Sequence, residues 1–293
     1  MKSKFLTIFA LAAAFGLHGC ATTSNQSDGM SEAPQSTLRH QSRGVFPFQG
    51  ETITFDARHV ATKATVAEAI VQVGHESKLE DGTRYIPIVG TAASKSIVRL
   101  FARVDDRTEA YLDPDTWETI YGYKHLNEND RDREYYVWFW PDDQIASVER
   151  HSKGNVVKRD YPLPNDTMDS VAWVYHVRTL DLDPNKTYVN YTFDGWTINR
   201  VELRPAGEED VWTPNNGFFH CRKFEIWRER SDGVAPRGAL SGVFIDPERT
   251  VHVQSYHLAD AWLAMDDAKT PVRLVVSTGI GEFDLLLTSV TKD

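Results

Sequence analysis

The chain has 293 residues, of which 41% are hydrophobic and 25% are charged, a balance typical of a globular protein rather than a disordered one. Its formal net charge is -10, and a polyanion has no long-range attraction for phosphate backbones, so no nucleic-acid partner is expected. About 250 residues remain beyond the N-terminal segments, a length that fits one large β domain or two small ones.

The first twenty residues have the pattern of an export signal. Lys2 and Lys4 precede an apolar stretch of 13 residues, Phe5–Leu17, which is too short to cross a bilayer as a helix and matches the apolar region of a secretory signal. The stretch ends in Leu17-His18-Gly19-Cys20. This sequence resembles a bacterial lipobox, although His18 stands where a small residue is usual. An ordinary secretory signal with a chance cysteine is the alternative.

The resemblance to a lipobox implies a lipid anchor on Cys20. It implies a diacylglycerol on the Cys20 sulfur, cleavage before that residue, and acylation of the new amino terminus, for instance by palmitate. Several acyl chains anchor a protein stably, because each buried CH₂ contributes about 0.8 kcal/mol. Ala21 follows in place of Asp, which in Gram-negative sorting favours the outer membrane, facing the periplasm. Cys221 is the only other cysteine, so an acylated Cys20 leaves no intramolecular disulfide.

The segment after Cys20 predicts a flexible tether. Residues 21–44 are rich in Ser, Thr, Gln and Gly and contain few apolar side chains to bury. As a coil the segment spans roughly 25–30 Å, enough to hold a domain just off a membrane surface. The sequence therefore predicts a signal peptide at 1–19, a lipidated cysteine with its tether at 20–45, and a single β-rich domain at 46–293.

Most of that domain consists of short β-branched runs separated by Gly and Asp clusters, a pattern typical of strands. Residues 51–59 alternate clearly, with Ile53, Phe55 and Ala57 on one face. No period of 20–50 residues repeats, which excludes a solenoid or propeller. Strands are predicted at 51–59, 65–73, 85–89, 97–104, 108–112, through Trp117 and Ile120, and at 187–193, 196–204, 218–227, 240–245, 250–257, 271–277 and 281–290.

One well-defined helix interrupts the strands. Its apolar positions follow the i, i+3, i+4, i+7 spacing at Met168, Val171, Ala172 and Tyr175. Asp166 or Thr167 is the expected N-cap. Many strands with one or two short helices predict a mainly β fold, built as a large curved antiparallel sheet that forms an open barrel or a clam-like shape. A doubly wound nucleotide-binding fold is excluded, because helices do not alternate with the strands.

The run at 135–140 is aromatic on both sides of a strand. Tyr135, Val137 and Phe139 would face one way, and Tyr136, Trp138 and Trp140 the other. Two apolar faces predict a strand that is covered on both sides by core layers. In the alternative interpretation, one face lines a cavity or a platform that stacks on sugars. Tyr136, Trp138 and Trp140 are therefore the candidate ligand-binding residues.

The order of several short motifs resembles a bacterial family of exported proteins, the domain of unknown function 3108. The similar segments are GETITFD at 50–56, DDRTEAYLD at 105–113, DSVAWVYHVR at 169–178, TPNNGFFHCRK at 213–223, and Asp266-Asp267 followed by PVRL at 271–274. The resemblance covers roughly 48–290 and implies one exported, strongly curved antiparallel sheet. It implies no reaction or catalytic residue. Periplasmic lipoprotein carriers, which hold acyl chains on a concave face, offer only an analogy of fold.

No pattern in the sequence predicts catalysis or a cofactor. His220, Cys221, His252, His257 and Asp260 could supply zinc ligands, but none has the CxxC or HExxH spacing. The adjacent His220 and Cys221 would point to opposite faces of a strand. A buried cysteine with surface histidines is therefore the favoured interpretation, and no metal or catalytic residue is predicted. Carboxylate pairs occur at predicted turns, where solvation explains them: Asp105-Asp106, Asp142-Asp143, Glu208-Glu209 and Asp266-Asp267.

These observations favour a non-enzymatic, outer-membrane-anchored periplasmic protein. It would bind a hydrophobic or envelope-derived ligand or a protein partner, neither of which the sequence identifies. A structural or assembly factor of the envelope without a ligand pocket is one alternative. An enzyme acting on envelope polymers is the least favoured. Arg178 on the helix is expected to dock on a carboxylate of the sheet and hold the fold together.

Overall fold

The computed structural model describes residues 43–95, 98–100, 103–129, 131–230, 255–278 and 281–293. These residues form sixteen strands, one α-helix and two short 3-10 turns, Val98–Leu100 and Pro141–Asp143. The strands are β1 (Glu51–His59), β2 (Thr65–Val73), β3 (Ser77–Lys78), β4 (Arg84–Ser94), β5 (Asp105–Leu112), β6 (Thr119–Glu128), β7 (Arg131–Trp140), β8 (Ile145–Ser152), β9 (Asn155–Pro162), β10 (Met168–Asp169), β11 (Tyr188–Phe193), β12 (Ile198–Thr213), β13 (Gly217–Arg230), β14 (Tyr256–Ala264), β15 (Pro271–Thr278) and β16 (Gly281–Lys292), and the helix is α1 (Ser170–Thr179).

Fifteen strands form one ladder in the order β10-β11-β12-β13-β14-β15-β16-β1-β2-β4-β5-β6-β7-β8-β9, and β3 pairs with β4. Every pair is antiparallel except β10 with β11. The two ends of the ladder, β9 and β10, do not pair with each other in the described part of the chain. The fold is therefore mainly β, with one large curved sheet that is not closed by hydrogen bonds.

β-bulges contribute to the curvature of the sheet. The pairing register shifts between Thr54 and Phe55 in β1, and between Pro205 and Glu208 in the long strand β12. Extra residues on one strand bend it and increase its twist. The helix α1 lies against the inner face of the bent sheet, where its residues belong to two of the three core clusters.

The core consists of three clusters of buried residues, two of which lie between α1 and the inner face of the sheet. Trp173 and Val177 of the helix pack with residues of β1 and β16, such as Phe55 and Leu287. Tyr175, on another side of the helix, packs with a second cluster, and a third lies between β7–β9 and the start of β12. Inward residues alternate with outward ones along each strand, as the period of two requires.

The predicted helix is present but begins later than expected. Asp169, rather than Asp166 or Thr167, is the N-cap, and its carboxylate accepts a hydrogen bond of 2.7 Å from the Val171 amide. Met168 lies in β10, because its backbone pairs with β11. Within the part of the chain that the structure describes, no helix is long and apolar enough to cross a membrane.

Two predicted strands are wrong in part. Residues 98–100 form a 3-10 turn, and Val104 makes a single bridge to Glu128. Trp117 lies in a turn with φ of 64°, so β6 begins only at Thr119. The predicted strand at 240–245, and most of the one at 250–257, lie outside the described residues.

Candidate functional site

Strand β7 has one row of side chains in the core and another on the outside of the sheet. Tyr135, Val137 and Phe139 are buried, whereas Trp138 and Trp140 are 37% and 50% exposed. The prediction that both faces of this strand are covered is therefore wrong. The physical reason is that the core cluster of β7 lies on one side of a single sheet, so Trp138 and Trp140 on the other side keep contact with solvent.

The outward rings of β7 continue across the neighbouring strands. We use the name aromatic face for Tyr85, Tyr111, Tyr121, Tyr123, Tyr136, Trp138 and His151, which lie on β4 to β8. Three pairs of these rings are directly opposite each other in the strand register, the arrangement in which side chains interact most strongly across a sheet. The ring centroids are 4.5 Å apart for Tyr85–Tyr111, 5.2 Å for Tyr111–Tyr121, 5.9 Å for Tyr121–Trp138, 5.2 Å for Tyr123–Tyr136, 6.4 Å for Tyr136–Trp138 and 5.2 Å for Tyr136–His151.

The rings of this face partly cover one another. Tyr85 and Tyr111 are stacked at 14°, so each hides a face of its neighbour. Tyr121 and Trp138 meet at 60°, and Tyr123 and Tyr136 at 50°, arrangements in which the edge of one ring approaches the face of the next. The aromatic face therefore offers many ring edges and hydroxyl groups rather than a row of open, parallel planes.

Carboxylates alternate with the rings and hold the tyrosine hydroxyls. The Tyr111 hydroxyl donates to Glu109 at 3.0 Å, and the Tyr123 hydroxyl donates to Glu134 at 2.9 Å. Burial, together with the charge of Glu109, raises the pKa of Tyr111 to about 12, so its hydroxyl stays protonated at neutral pH. The face thus combines apolar area with fixed hydrogen-bonding groups and negative charge.

A second constellation, on the inner face of β5 and β6, was missed by the sequence analysis. Asp106 and Thr108 are both 3% exposed, and Asp106 Oδ2 and Thr108 Oγ1 have no hydrogen-bond partner within the described structure. The other Asp106 oxygen accepts a bond of 2.8 Å from the Asn127 amide. Burial, and then the nearby charge of Glu128, raises the pKa of Asp106 to about 8. The prediction that Asp105-Asp106 is a solvated turn is therefore wrong for Asp106.

Two ion pairs surround this buried carboxyl group. Arg133 lies 3.0 Å from Glu128, and Lys124 lies 3.2 Å from Asp169, the N-cap of α1. The Asp169 amide donates to the Thr119 hydroxyl of β6. Lys124 and Asp169 therefore join the start of the helix to the sheet. Since Asp106 Oδ2 and Thr108 Oγ1 are also out of contact with solvent, this constellation is a polar part of the interior rather than an open binding site.

Arg178 docks on a carboxylate of the sheet, as the sequence predicts. Its guanidinium donates to both oxygens of Glu51 at 2.8 and 2.7 Å, and its Nε donates to the Ala268 carbonyl at 3.0 Å. The Phe48 ring lies 4.0 Å from the guanidinium carbon. The pair is buried and connects α1 to β1 and to the β14–β15 turn, so Arg178 is a clamp of the fold.

Comparison with known proteins places the chain in a family. The family model of proteins of unknown function named DUF3108 matches residues 53–288. The chain belongs to the DUF3108 family. No curated protein matches it.

Solved structures with a similar fold are distant in sequence. A β-barrel-like protein of domain of unknown function DUF1849 from Brucella abortus is 8% identical with a TM-score of 0.50, and the match covers 86% of this chain and 99% of that one. It shares the fold of this DUF3108 chain. A candidate lipoprotein from Parabacteroides distasonis (10% identity, 87% and 100% coverage, TM-score 0.31) and a candidate exported protein with a YmcC-like fold from Bacteroides fragilis (11%, 86% and 100%, 0.29) are less similar.

The structure separates the remaining candidate residues of this DUF3108 protein. Cys221 is buried, which raises its pKa to about 12, and the adjacent His220 is exposed beside Asp210. The prediction that these neighbours face opposite ways is confirmed. His257 lies 2.8 Å from Asp260, and the described residues contain no group of three or more His, Cys, Asp or Glu that could hold a metal ion. His252 and Cys20 lie outside the described residues.

Proposed function

We propose that this protein is a non-enzymatic, lipid-anchored component of the bacterial cell envelope that binds a protein partner through its aromatic face. The observation that carries the proposal is the outward surface of seven neighbouring rings on β4 to β8. Tyr and Trp bring large contact areas at a low cost in conformational entropy, and they are enriched where binding energy concentrates. Trp138 is exposed and the other six rings are half-buried. Apolar surface that continues over several strands and keeps contact with solvent marks interaction sites.

The geometry favours a protein over the other ligands considered. Tyr136, Trp138 and Trp140 point away from the helix, so they are unsuited to lining an acyl chain held inside the sheet. The tilted rings leave few open planes for a sugar to stack on. Glu109 is paired with Arg107 at 2.6 Å, whereas Glu134 adds a negative charge beside the rings. This suits a partner with apolar side chains at its centre and a basic residue at the edge.

The lipid anchor is supported by the leader sequence. Lys2, Lys4, the apolar stretch Phe5–Leu17 and Cys20 together resemble a lipoprotein signal, and Ala21 favours the outer membrane. In cells, Cys20→Ser should release the protein from membranes into the soluble periplasmic fraction. Cys221→Ser is the matched control and should stay with the membranes. Membrane retention of Cys20→Ser equal to that of the control would contradict acylation.

Site-specific photo-crosslinking in cells tests the partner. A photoreactive phenylalanine analogue is placed at Trp138, and in a control protein at Val189, which is 45% exposed on β11, far from β4 to β8 in the ladder. We expect a discrete protein adduct from position 138 and none from position 189. A second substitution, Tyr121→Ser, removes the ring 5.9 Å from Trp138 and should reduce that adduct.

Two outcomes of this experiment would reject the proposed partner. Identical adducts from positions 138 and 189 would mean that the aromatic face has no special role. Adducts from position 138 that consist of glycan or lipid, with no protein, would assign the face to another class of ligand.

A further inference from the structure

The antiparallel sheet has two ends, and one of them receives the N-terminal segment. We use the name N-terminal end for residues 43–50 and the turns at 74–83, 113–118, 141–144, 214–216 and 265–270. It also includes the strand ends that adjoin these segments, among them the last residues of β16, which pair with the start of β1. Hydrogen bonds join neighbouring parts of this end. The Arg43 amide donates to the Asp115 carbonyl at 2.8 Å, and the Trp117 indole donates to the Gly44 carbonyl at 3.2 Å. Farther along, the Asn215 side chain donates to the Thr288 carbonyl at 3.2 Å.

Exposed apolar side chains concentrate at the N-terminal end. Among the described residues, seven of the eleven exposed large hydrophobic side chains lie there: Val45, Leu79, Trp140, Trp212, Phe218, Met265 and Val290. The most prominent pair is Phe218, at 74% exposure, and Trp212, which is directly opposite it at the tip of the β12–β13 hairpin. Single exposed apolar residues are normally scattered over a surface. Their concentration at one end therefore indicates that this end contacts a partner.

The path of the chain identifies that partner as a lipid surface. Residues 20–42 precede the described part, and the chain enters the domain at Arg43, within the N-terminal end. A lipid anchor at Cys20, which belongs to the proposed function and on which this inference rests, would keep this end closer to the membrane than the opposite one. Trp in particular favours the boundary between lipid and water.

We infer that the N-terminal end rests on the membrane surface, with Phe218 and Trp212 inserted among the lipid headgroups. The charges of this end select the kind of lipid. Acidic residues exceed basic ones in its turns, where Asp113, Asp115, Asp142, Asp143, Asp266 and Asp267 occur. Anionic headgroups would repel this end, so the surface that it fits is zwitterionic.

A thiol-attached fluorophore tests the contact in the full, acylated protein. Phe218→Cys supplies a reactive thiol, because Cys20 carries lipid and Cys221 is buried. The labelled protein is reconstituted on phosphatidylcholine vesicles. We expect the emission of an environment-sensitive dye at position 218 to shift to shorter wavelength and to be quenched by brominated lipid. Val156→Cys, on an exposed apolar residue near the opposite end, should show neither change.

Further measurements make the test specific. Trp212→Cys should respond as Phe218→Cys does, which protects the result against a local defect in one variant. Replacing part of the phosphatidylcholine with anionic phosphatidylglycerol should weaken the shift. A dye at 218 that reports water while the protein floats with the vesicles overturns the inference but leaves the anchor intact. A shift without vesicles that grows with protein concentration assigns this end to a second copy and also overturns it. Failure to float at all rejects the anchor itself.

Discussion

Replacing Arg178 tests how much of the stability depends on the clamp between helix and sheet. The Arg178→Met variant removes both bonds to Glu51 and the bond to the Ala268 carbonyl. It leaves the Glu51 carboxylate, whose side chain is 6% exposed, buried without its cation. Removing one partner of a buried pair costs about 3–5 kcal/mol, mainly because the remaining charge is uncompensated. We expect the free energy of unfolding to fall by about that amount.

A double variant separates the cost of the stranded charge from the value of the pair. Glu51→Leu combined with Arg178→Met replaces both charges by apolar groups of similar volume, and such replacements are often close to neutral. The double variant should therefore be more stable than Arg178→Met alone, although the unpaired Ala268 carbonyl still costs about 1–3 kcal/mol.

Urea unfolding followed by tryptophan fluorescence is measured for the parent, Glu51→Leu, Arg178→Met and the double variant. The eight tryptophans include Trp173 on α1, so their combined signal follows the unfolding of the sheet and the helix together. The slope of the unfolding free energy against urea should stay constant, since the surface exposed on unfolding is unchanged. An Arg178→Met protein within about 1 kcal/mol of the parent would refute the reasoning. A double variant that loses the sum of the two single losses would do so as well.

Three further predictions concern buried groups and a turn. The pKa of Asp106 is raised to about 8 from 3.8, so between these two pH values the folded protein holds a proton that the unfolded chain has lost. The free energy of unfolding therefore falls as the pH rises through this window. Asp106→Asn should therefore gain about 1–3 kcal/mol over the parent between pH 5 and pH 9; parallel pH profiles of the urea midpoints would contradict this. The Cys221 thiol, with its pKa raised to about 12, should react with a thiol reagent at pH 8 at least about 100-fold more slowly in the folded protein than in urea; equal rates would mean that it is accessible. Gly195→Ala places a Cβ 3.2 Å from Val137 at φ of 86° and should cost more stability in urea than Gly154→Ala, which has φ of 76° and an open surrounding; equal costs of about 1–2 kcal/mol would leave only the backbone penalty.

Local patterns in the sequence predict many of the strands well. The alternation of Ile53, Phe55 and Ala57 gives both the bounds of β1 and its inward face, because a one-sided apolar row has only one side to bury. The position of α1 is also predicted to within a few residues. The sequence alone does not fix its start, because three polar residues, Asp166, Thr167 and Asp169, lie on the two sides of Met168. Only the pairing of β10 with β11 selects Asp169 as the cap.

Where both rows of a strand are apolar, alternation cannot decide which row is buried. Tyr135 and Tyr136 have the same character in the sequence, yet Tyr135 is buried and Tyr136 belongs to the aromatic face. The aromatic face also depends on the pairing of distant segments, since Tyr85 and His151 lie 66 residues apart. The period of two places Tyr136, Trp138 and Trp140 on one side of β7, but only the register of the sheet brings them together with the rings on β4, β5, β6 and β8.

The buried Asp106 was predictable in principle from a pattern that was overlooked. In β5 the residues at even positions, Asp106, Thr108, Ala110 and Leu112, alternate with exposed or half-buried ones. That row is apolar at one end and polar at the other, so the adjacent pair Asp105-Asp106 resembles a turn. Asp106 stays on the inner face because β5 is already a paired strand there, bonded to β4 at Asp106 and to β6 from Arg107 onward.

Strand β7 connects the two proposed surfaces, the aromatic face and the N-terminal end. Strand β7 runs toward the N-terminal end, and its outward residues Tyr136, Trp138 and Trp140 follow one another in that direction. If the N-terminal end rests on lipid, the aromatic face lies on the side of the domain, with Trp140 nearest to the membrane. A partner would then approach along the membrane plane. Because the crosslinking site at Trp138 and the dye site at Phe218 lie on strands far apart in the ladder, Tyr121→Ser should not change the dye signal. A loss of both signals in that variant would mean that it had unfolded.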